Sequence, residues 1–264
     1  MSLDESLLAD ADAYMVFTMA DGSVRRVPVS QGVPKPVSGK TYYVFTCEVA
    51  AKEMTDVVKS QFVYTGGSSK EYSHTVKGYA EYLLANSGNA NLKSLITAML
   101  NYGAAAQVHF GYNTDCLANA GIDGAVSDFD VAFSHYASVA GQGTDSVRLC
   151  SASLILKSET TLRMYFTAQS GAFTVSYQGE ELTVMKKGNY YYVDITGISA
   201  RNLDEAVTVT INDGTAFADV TYNPMAYCQT VLADTTGVYA PDMKNVVAAL
   251  YLYNQAANTY FGEK

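Results

Sequence analysis

The sequence predicts an α+β protein of two tandem repeat units, each an antiparallel β-sheet or sandwich followed by a C-terminal helical hairpin. Three observations predict it. The chain matches itself over most of its length. Both copies hold short β-branched or aromatic runs punctuated by turn residues. Each copy ends in stretches with apolar residues at helical spacing.

The self-match is explicit. Residues 15–58 align without a gap on residues 164–207. Met15, Phe17, Thr18, Gly22 and Gly39 meet Met164, Phe166, Thr167, Gly171 and Gly188. Tyr42, Tyr43, Val44, Ala51 and Val58 meet Tyr191, Tyr192, Val193, Ala200 and Val207. Chance would give about three such identities. Farther on, Lys93, Ala98, Tyr102, Ala105, Ala106, Phe110 and Gly111 meet Lys244, Ala249, Tyr253, Ala256, Ala257, Phe261 and Gly262. The units are read as 1–113 and 148–264, with 114–147 as connection and start of the second. Residues 151–163 have no counterpart, so the first unit is read as lacking its first strand.

In the second copy, strands are read at 153–156, 162–167, 172–177, 182–185, 190–196 and 206–211. Turn signals such as Gln178-Gly179 and Asp213-Gly214 lie between or beside them. Pro34 and Pro36 confine the equivalent of the fourth strand in copy one to an edge or a loop. Period two gives each strand two faces. Tyr42, Val44 and Thr46, like Tyr191, Val193 and Ile195, are expected to face the core. Phe45 and Cys47 are expected to be covered by a helix or by unit two, whereas Asp194 and Thr196 face water.

Helices follow the strands. Thr75 and Asn223 are N-caps for the first of each pair, and Pro224 pre-sets φ at N1. Asn91 and Asp242 are read as the caps of the second. Leu92, Leu95, Ile96, Met99, Tyr102, Ala106 and Phe110 form one apolar stripe. Gly111 and Gly262 fit helix ends.

Composition excludes several classes. The 264 residues are 48% hydrophobic with a net charge of −9, which argues for a packed core and against a nucleic-acid or anionic-membrane partner. No apolar run is long enough to span a bilayer, so no membrane insertion is expected. The acidic first twelve residues have no signal-peptide pattern, and Met1-Ser2-Leu3 reads as an expression-vector start, so a fragment of a larger parent chain is expected. Cys47, Cys116, Cys150 and Cys228 have no CxxC spacing. They are read as buried free thiols, with a Cys116–Cys150 disulfide as the alternative.

Chemistry-bearing motifs are few. No nucleophile elbow, zincin, P-loop or dinucleotide fingerprint occurs, and no cofactor, no metal and no catalytic residue is assigned. Asp123, Asp128 and Asp130 lack the order of a calcium loop and read as solvated. Glu180-Glu181 and Asp204-Glu205 sit beside turns, which does not suggest converging glycosidase carboxylates. His109 meets Tyr260 in the copy and reads as a packed or exposed helical residue. The 21 tyrosines are the best binding material, since their faces stack on sugar rings and their hydroxyls hydrogen-bond. Tyr190 and Tyr192, sharing one strand face, are the candidate binding residues, beside the alternative that they are ordinary half-buried sheet positions.

The run Glu48-Val-Ala-Ala-Lys-Glu-Met-Thr-Asp56 and the segments 79–86, 95–107 and 110–115 resemble uncharacterised duplicated modules of large secreted or cell-surface proteins from gut anaerobic Firmicutes. The resemblance covers most of the chain. It implies an extracellular or cell-wall-associated location and brings no activity. The expected function is a non-enzymatic repeat module that binds glycan or protein, or spaces other domains. The alternative is an enzyme, such as a glycan-active hydrolase, with a site between the two units.

Overall fold

The computed structural model describes residues 1–121 and 139–262. Asp123, Asp128, Asp130 and His135 therefore lie outside the described residues. Contacts divide the chain into two compact units, residues 1–49 with 53–86 and residues 50–52 with 87–264. The chain has sheets and helices together, all strand pairs being antiparallel.

The first unit runs α1 (Glu5–Leu8), β1 (Tyr14–Thr18), β2 (Val24–Pro28), β3 (Val33–Val37), β4 (Lys40–Val44), β5 (Val58–Tyr64), β6 (Gly67–Ser68), β7 (Tyr72–His74) and α2 (Val76–Asn86). One sheet has the order β2-β1-β5-β6, with β7 also on β5, and among the described residues β3 pairs only with β4. Pro34 and Pro36 cannot donate to a ladder, so their strand sits in a two-stranded ribbon. One buried cluster holds Leu3, Ala13, Val29 and Phe62, with Tyr43 and Phe45 packed on it, and Phe17, Met54, Val58 and Ala80 are buried as well. The ring centroids of Phe45 and Phe62 are 6.1 Å apart. Thr75 Oγ1 caps α2 by accepting from Gly78 N–H at 2.9 Å.

Of the expected faces at β4, the covering of Phe45 and Cys47 holds in part, but the Tyr42, Val44 and Thr46 face does not meet the core. Tyr42, Val44 and Thr46 are exposed, while Tyr43, Phe45 and Cys47 are half-buried. Because β4 belongs to the ribbon rather than to a central sheet, its inner side is the one that meets Phe62.

The second unit contains α3 (Ala90–Phe110), β8 (Val139–Ala140), β9 (Val147–Leu156), β10 (Thr160–Ala168), β11 (Thr174–Tyr177), β12 (Glu180–Leu182), β13 (Met185–Lys187), β14 (Tyr190–Ile195), β15 (Val207–Asn212), β16 (Phe217–Tyr222), α4 (Pro224–Leu232) and α5 (Pro241–Phe261). Two sheets form, β13-β14-β10-β9 and β12-β11-β15-β16-β8. Period-two alternation aims Leu162, Met164 and Phe166 of β10 and Val193 and Ile195 of β14 inward. They share one core with Val175, Val207, Val209, Ile211 and Val220 from the other sheet. Burying each large side chain is worth about 1.5–3 kcal/mol. The outer face of the second sheet is polar, with Thr208 hydrogen-bonded to Thr221 and Thr210 donating to Asp219, both at 2.7 Å.

The pairing of β1 with β5 has no parallel here. Their sequence counterparts, β10 and β15, lie in different sheets. Strand β16 lies outside the strands that the sequence predicts.

Helices close the second unit. Asn223 Oδ1 accepts from Met225 N–H at 2.9 Å and starts α4, as expected. The long helices begin earlier than expected. Asn89 caps α3 by accepting from Leu92 N–H at 3.0 Å, and Ala240 precedes Pro241 at the start of α5. Pro241 sets the first-turn φ, which leaves Asp242 inside the turn. Helices α3 and α5 pack antiparallel: Tyr102 stacks on Tyr253 at 6.0 Å, and His109 Nδ1 at the end of α3 meets Asp242 Oδ2 at the start of α5 at 2.7 Å. The imidazole hydrogen bond lowers the Asp242 pKa. Buried Gln107 accepts from Ala118 N–H at 2.7 Å and donates to Cys116 O at 3.1 Å, fastening the loop after α3.

All four cysteines are free, which excludes the Cys116–Cys150 pairing, and only Cys228 is buried. Burial pushes the Cys228 thiol up to about 12, so it is an inert packing residue.

Leu162 is fully buried between neighbours of both sheets. Leu162→Ala should therefore lower stability by about 2–5 kcal/mol in urea unfolding followed by circular dichroism. A loss well under 1 kcal/mol would show that the core collapses around the gap.

Asp213 links the β15–β16 turn to the chain before β9. It accepts from Ser146 Oγ, from Thr215 Oγ1 and N–H at 2.7 and 2.9 Å, and from Ala216 N–H at 2.8 Å. These donors, Ser146 foremost, hold its pKa well below the ordinary carboxylate value. Its contribution is complete above about pH 3.9 and is lost as pH falls through the depressed folded value. The melting-temperature gap between wild type and Asp213→Asn should shrink as pH drops below about 3.9.

Candidate functional site

The outer face of the four-stranded sheet is set by the alternation that fills the core. With Leu162, Met164 and Phe166 inward, Arg163 and Tyr165 must point outward. With Val193 and Ile195 inward, Tyr190, Tyr192 and Asp194 do the same. Register then brings Arg163 opposite Asp194 and Tyr165 opposite Tyr192.

These pairs interlock. Arg163 Nε and Nη2 donate to Asp194 Oδ1 and Oδ2, each at 2.7 Å. The Arg163 Cζ lies 4.0 Å from the centroid of the Tyr192 ring, within cation–π range. Tyr165 and Tyr192 rings are 5.9 Å apart. Asp194 raises the Arg163 pKa above its usual value. Asp194 is half-buried rather than facing water freely, whereas Thr196 is exposed. Tyr191 packs inward with its ring edge-on to Phe173 at 5.4 Å.

Beside this lattice is a shallow groove of about 510 Å³ lined by Ser151, Tyr165, Lys187, Gly188, Asn189 and Tyr190. The β13–β14 hairpin positions four of those residues. Lys187 pairs with Tyr190, leaving the two-residue loop Gly188-Asn189, and Gly188 takes φ +60°. A side chain there would be strained, so glycine suits the tight loop.

The structure thus separates the two candidates. Tyr190 is 47% exposed and lines the groove. Tyr192 is half-buried beneath Arg163 and does not line the groove; it supports the residues that do. Sequence reasoning missed Tyr165, Ser151, Lys187 and Asn189. The outward aim of Tyr165 was readable from the period of β10, but its place beside Tyr190 depends on strand pairing.

The other candidate residues are dispersed. His74 is exposed on β7, stacked on Tyr72 at 6.4 Å. His109 is engaged with Asp242. Asp204 accepts from Asn254 Nδ2 at 3.2 Å and Asn258 Nδ2 at 3.1 Å, a structural role. Glu180 and Glu181 are exposed on β12. Among the described residues no three His, Cys, Asp or Glu side chains form a metal-binding group, and no helix is long and apolar enough to cross a membrane.

Arg163→Lys keeps the charge but loses the fork and the flat stack on Tyr192. It should cost about 1 kcal/mol, given partial exposure of the pair, and alter the near-ultraviolet circular dichroism of the tyrosines. An unchanged spectrum and melting temperature would mean that the pair does not order this face.

Compared with known proteins, the chain matches no family model, and no curated protein or solved structure is found to be similar.

Proposed function

We propose that this chain is a non-enzymatic glycan-binding module of a secreted or cell-wall-associated protein. The observation that carries the reading is the groove in which the exposed Tyr190 and the neighbouring Tyr165 meet Ser151 and Asn189. Aromatic rings supply apolar faces for the C–H side of a sugar, and the hydroxyl and amide groups match its O–H groups. The Arg163–Asp194 fork holds the adjoining tyrosine lattice still, which reduces the ordering cost of binding. The location rests on the resemblance to surface modules stated above.

We also propose that the chain is a duplicated unit. The sequence counterparts Tyr102 and Tyr253 stack across the antiparallel α3–α5 pair, as two copies related by an approximate two-fold would require. On this reading duplication preserved the order of elements more closely than sheet pairing.

A glycan array followed by calorimetry tests the function. Tyr190→Ala should weaken the best hit about tenfold, equivalent to about 1.4 kcal/mol. Equal binding by wild type and Tyr190→Ala, or steady release of cleaved sugar, would overturn it.

A further inference from the structure

A second cavity, of about 490 Å³, lies where the edge strand β9 meets the end of β16 and helix α4. Tyr222, Tyr227 and Tyr239 converge on it from β16, α4 and the loop before α5. Burial raises the Tyr222 phenol to about 12 and raises that of Tyr227, with the neighbouring phenols adding to both shifts. Both therefore stay neutral at physiological pH and can donate as well as accept. Gln142 adds an amide, and Thr230 a hydroxyl whose proton goes to Ala226 O at 2.9 Å, leaving the oxygen able to accept. Among the described residues no charged side chain lines this cavity, and Arg148 Nη1 donates to Gln142 Oε1 at 3.2 Å beside it.

Strand β9 joins this cavity to the tyrosine groove. Its register with β10 slips between Tyr165 and Phe166: Tyr165 faces Ser151 and Phe166 faces Leu149. Cys150 is the extra residue of this bulge, its Sγ donating to Tyr165 O at 3.2 Å. Ser151, next to the bulge, lines both cavities.

The lining chemistry selects the ligand. A charged ligand would find no counter-charge among the described lining residues, and the nearby Arg148 is turned to Gln142. An added peptide strand would find the first part of this edge taken. Leu149 N–H donates to Gln142 O at 3.0 Å, and Thr144 N–H donates to Val147 O at 2.9 Å. Neutral hydroxyl-bearing rings suit phenols that are at once flat and amphoteric.

We propose that the cavity under Tyr222, Tyr227 and Tyr239 is a second carbohydrate subsite, adjoining the first across Ser151, so that the protein binds a linear neutral oligosaccharide draped over β9. This rests on the glycan-binding reading of the Tyr165–Tyr190 groove and adds to it a chain length and a direction.

The test uses the whole chain and an array of linear β-1,4- and α-1,4-glucans, xylans and mannans of two to six units, with calorimetry on the hits. Affinity should rise at least tenfold from the shortest to the longest binder. Tyr227→Phe with Tyr239→Phe removes two hydroxyls with little change of shape, and should erase most of that gain while leaving the shortest binder unaffected. Tyr190→Ala should weaken short and long alike. The bound hexasaccharide should also slow alkylation of Cys150 by iodoacetamide several-fold, with exposed Cys116 as the unchanged reference, a readout that needs no substitution. Binding that is independent of length, insensitive to the Tyr→Phe pair and without protection of Cys150, yet lost in Tyr190→Ala, would overturn the second subsite and leave the first standing. If no neutral glycan bound, both readings would fall.

Discussion

The inward row of Leu162, Met164 and Phe166 is the constraint on which the second unit depends. Strand β10 lies between β14 and β9, and all three side chains are fully buried against the opposing sheet. A slip of one residue would put Arg163 and Tyr165 into that core and three large apolar groups into water, which is costly twice over. The register that avoids this outcome also sets Arg163 against Asp194 and Tyr165 against Tyr192. The proposed binding face is thus the reverse side of the core. Its geometry is inherited from packing, on strands rather than on a flexible loop.

Local signals were legible in the sequence where a short segment decides its own conformation. Asn223 with Pro224, and Thr75 with its following turn, start helices because capping needs only neighbours in sequence. Tyr190 and Tyr192 share a face because period two is a property of one strand. Strand β9 shows where this fails. Its alternation changes phase at the Cys150 bulge, so only the part from Ser153 onward reads as a strand, although pairing starts at Val147. Strand β16 was hidden for another reason: Phe217 is outward and exposed, and Ala218 and Asp219 weaken the β signal.

Pairing between distant segments was not legible. The sequence self-match aligns β1 with β10 and β5 with β15, yet β1 and β5 share a sheet and β10 and β15 do not. Phe45 and Asp194 occupy aligned positions in the sequence self-match but meet different surroundings: one packs on Phe62, the other grips Arg163. The same limit hid the tyrosine cavity, whose walls come from β9, β16, α4 and a loop.

The irregular start of β9 has a consequence for how molecules of this kind tolerate one another. A ten-residue edge strand offers its free backbone groups to any other strand and invites edge-to-edge association. Here the entrance to that edge is guarded three times. The Gln142–Thr144 segment occupies the first hydrogen-bonding positions, exposed Arg148 adds a charge, and the kink at Cys150 breaks the flat template. At high local concentration the start of this edge would be a poor template for a neighbouring strand.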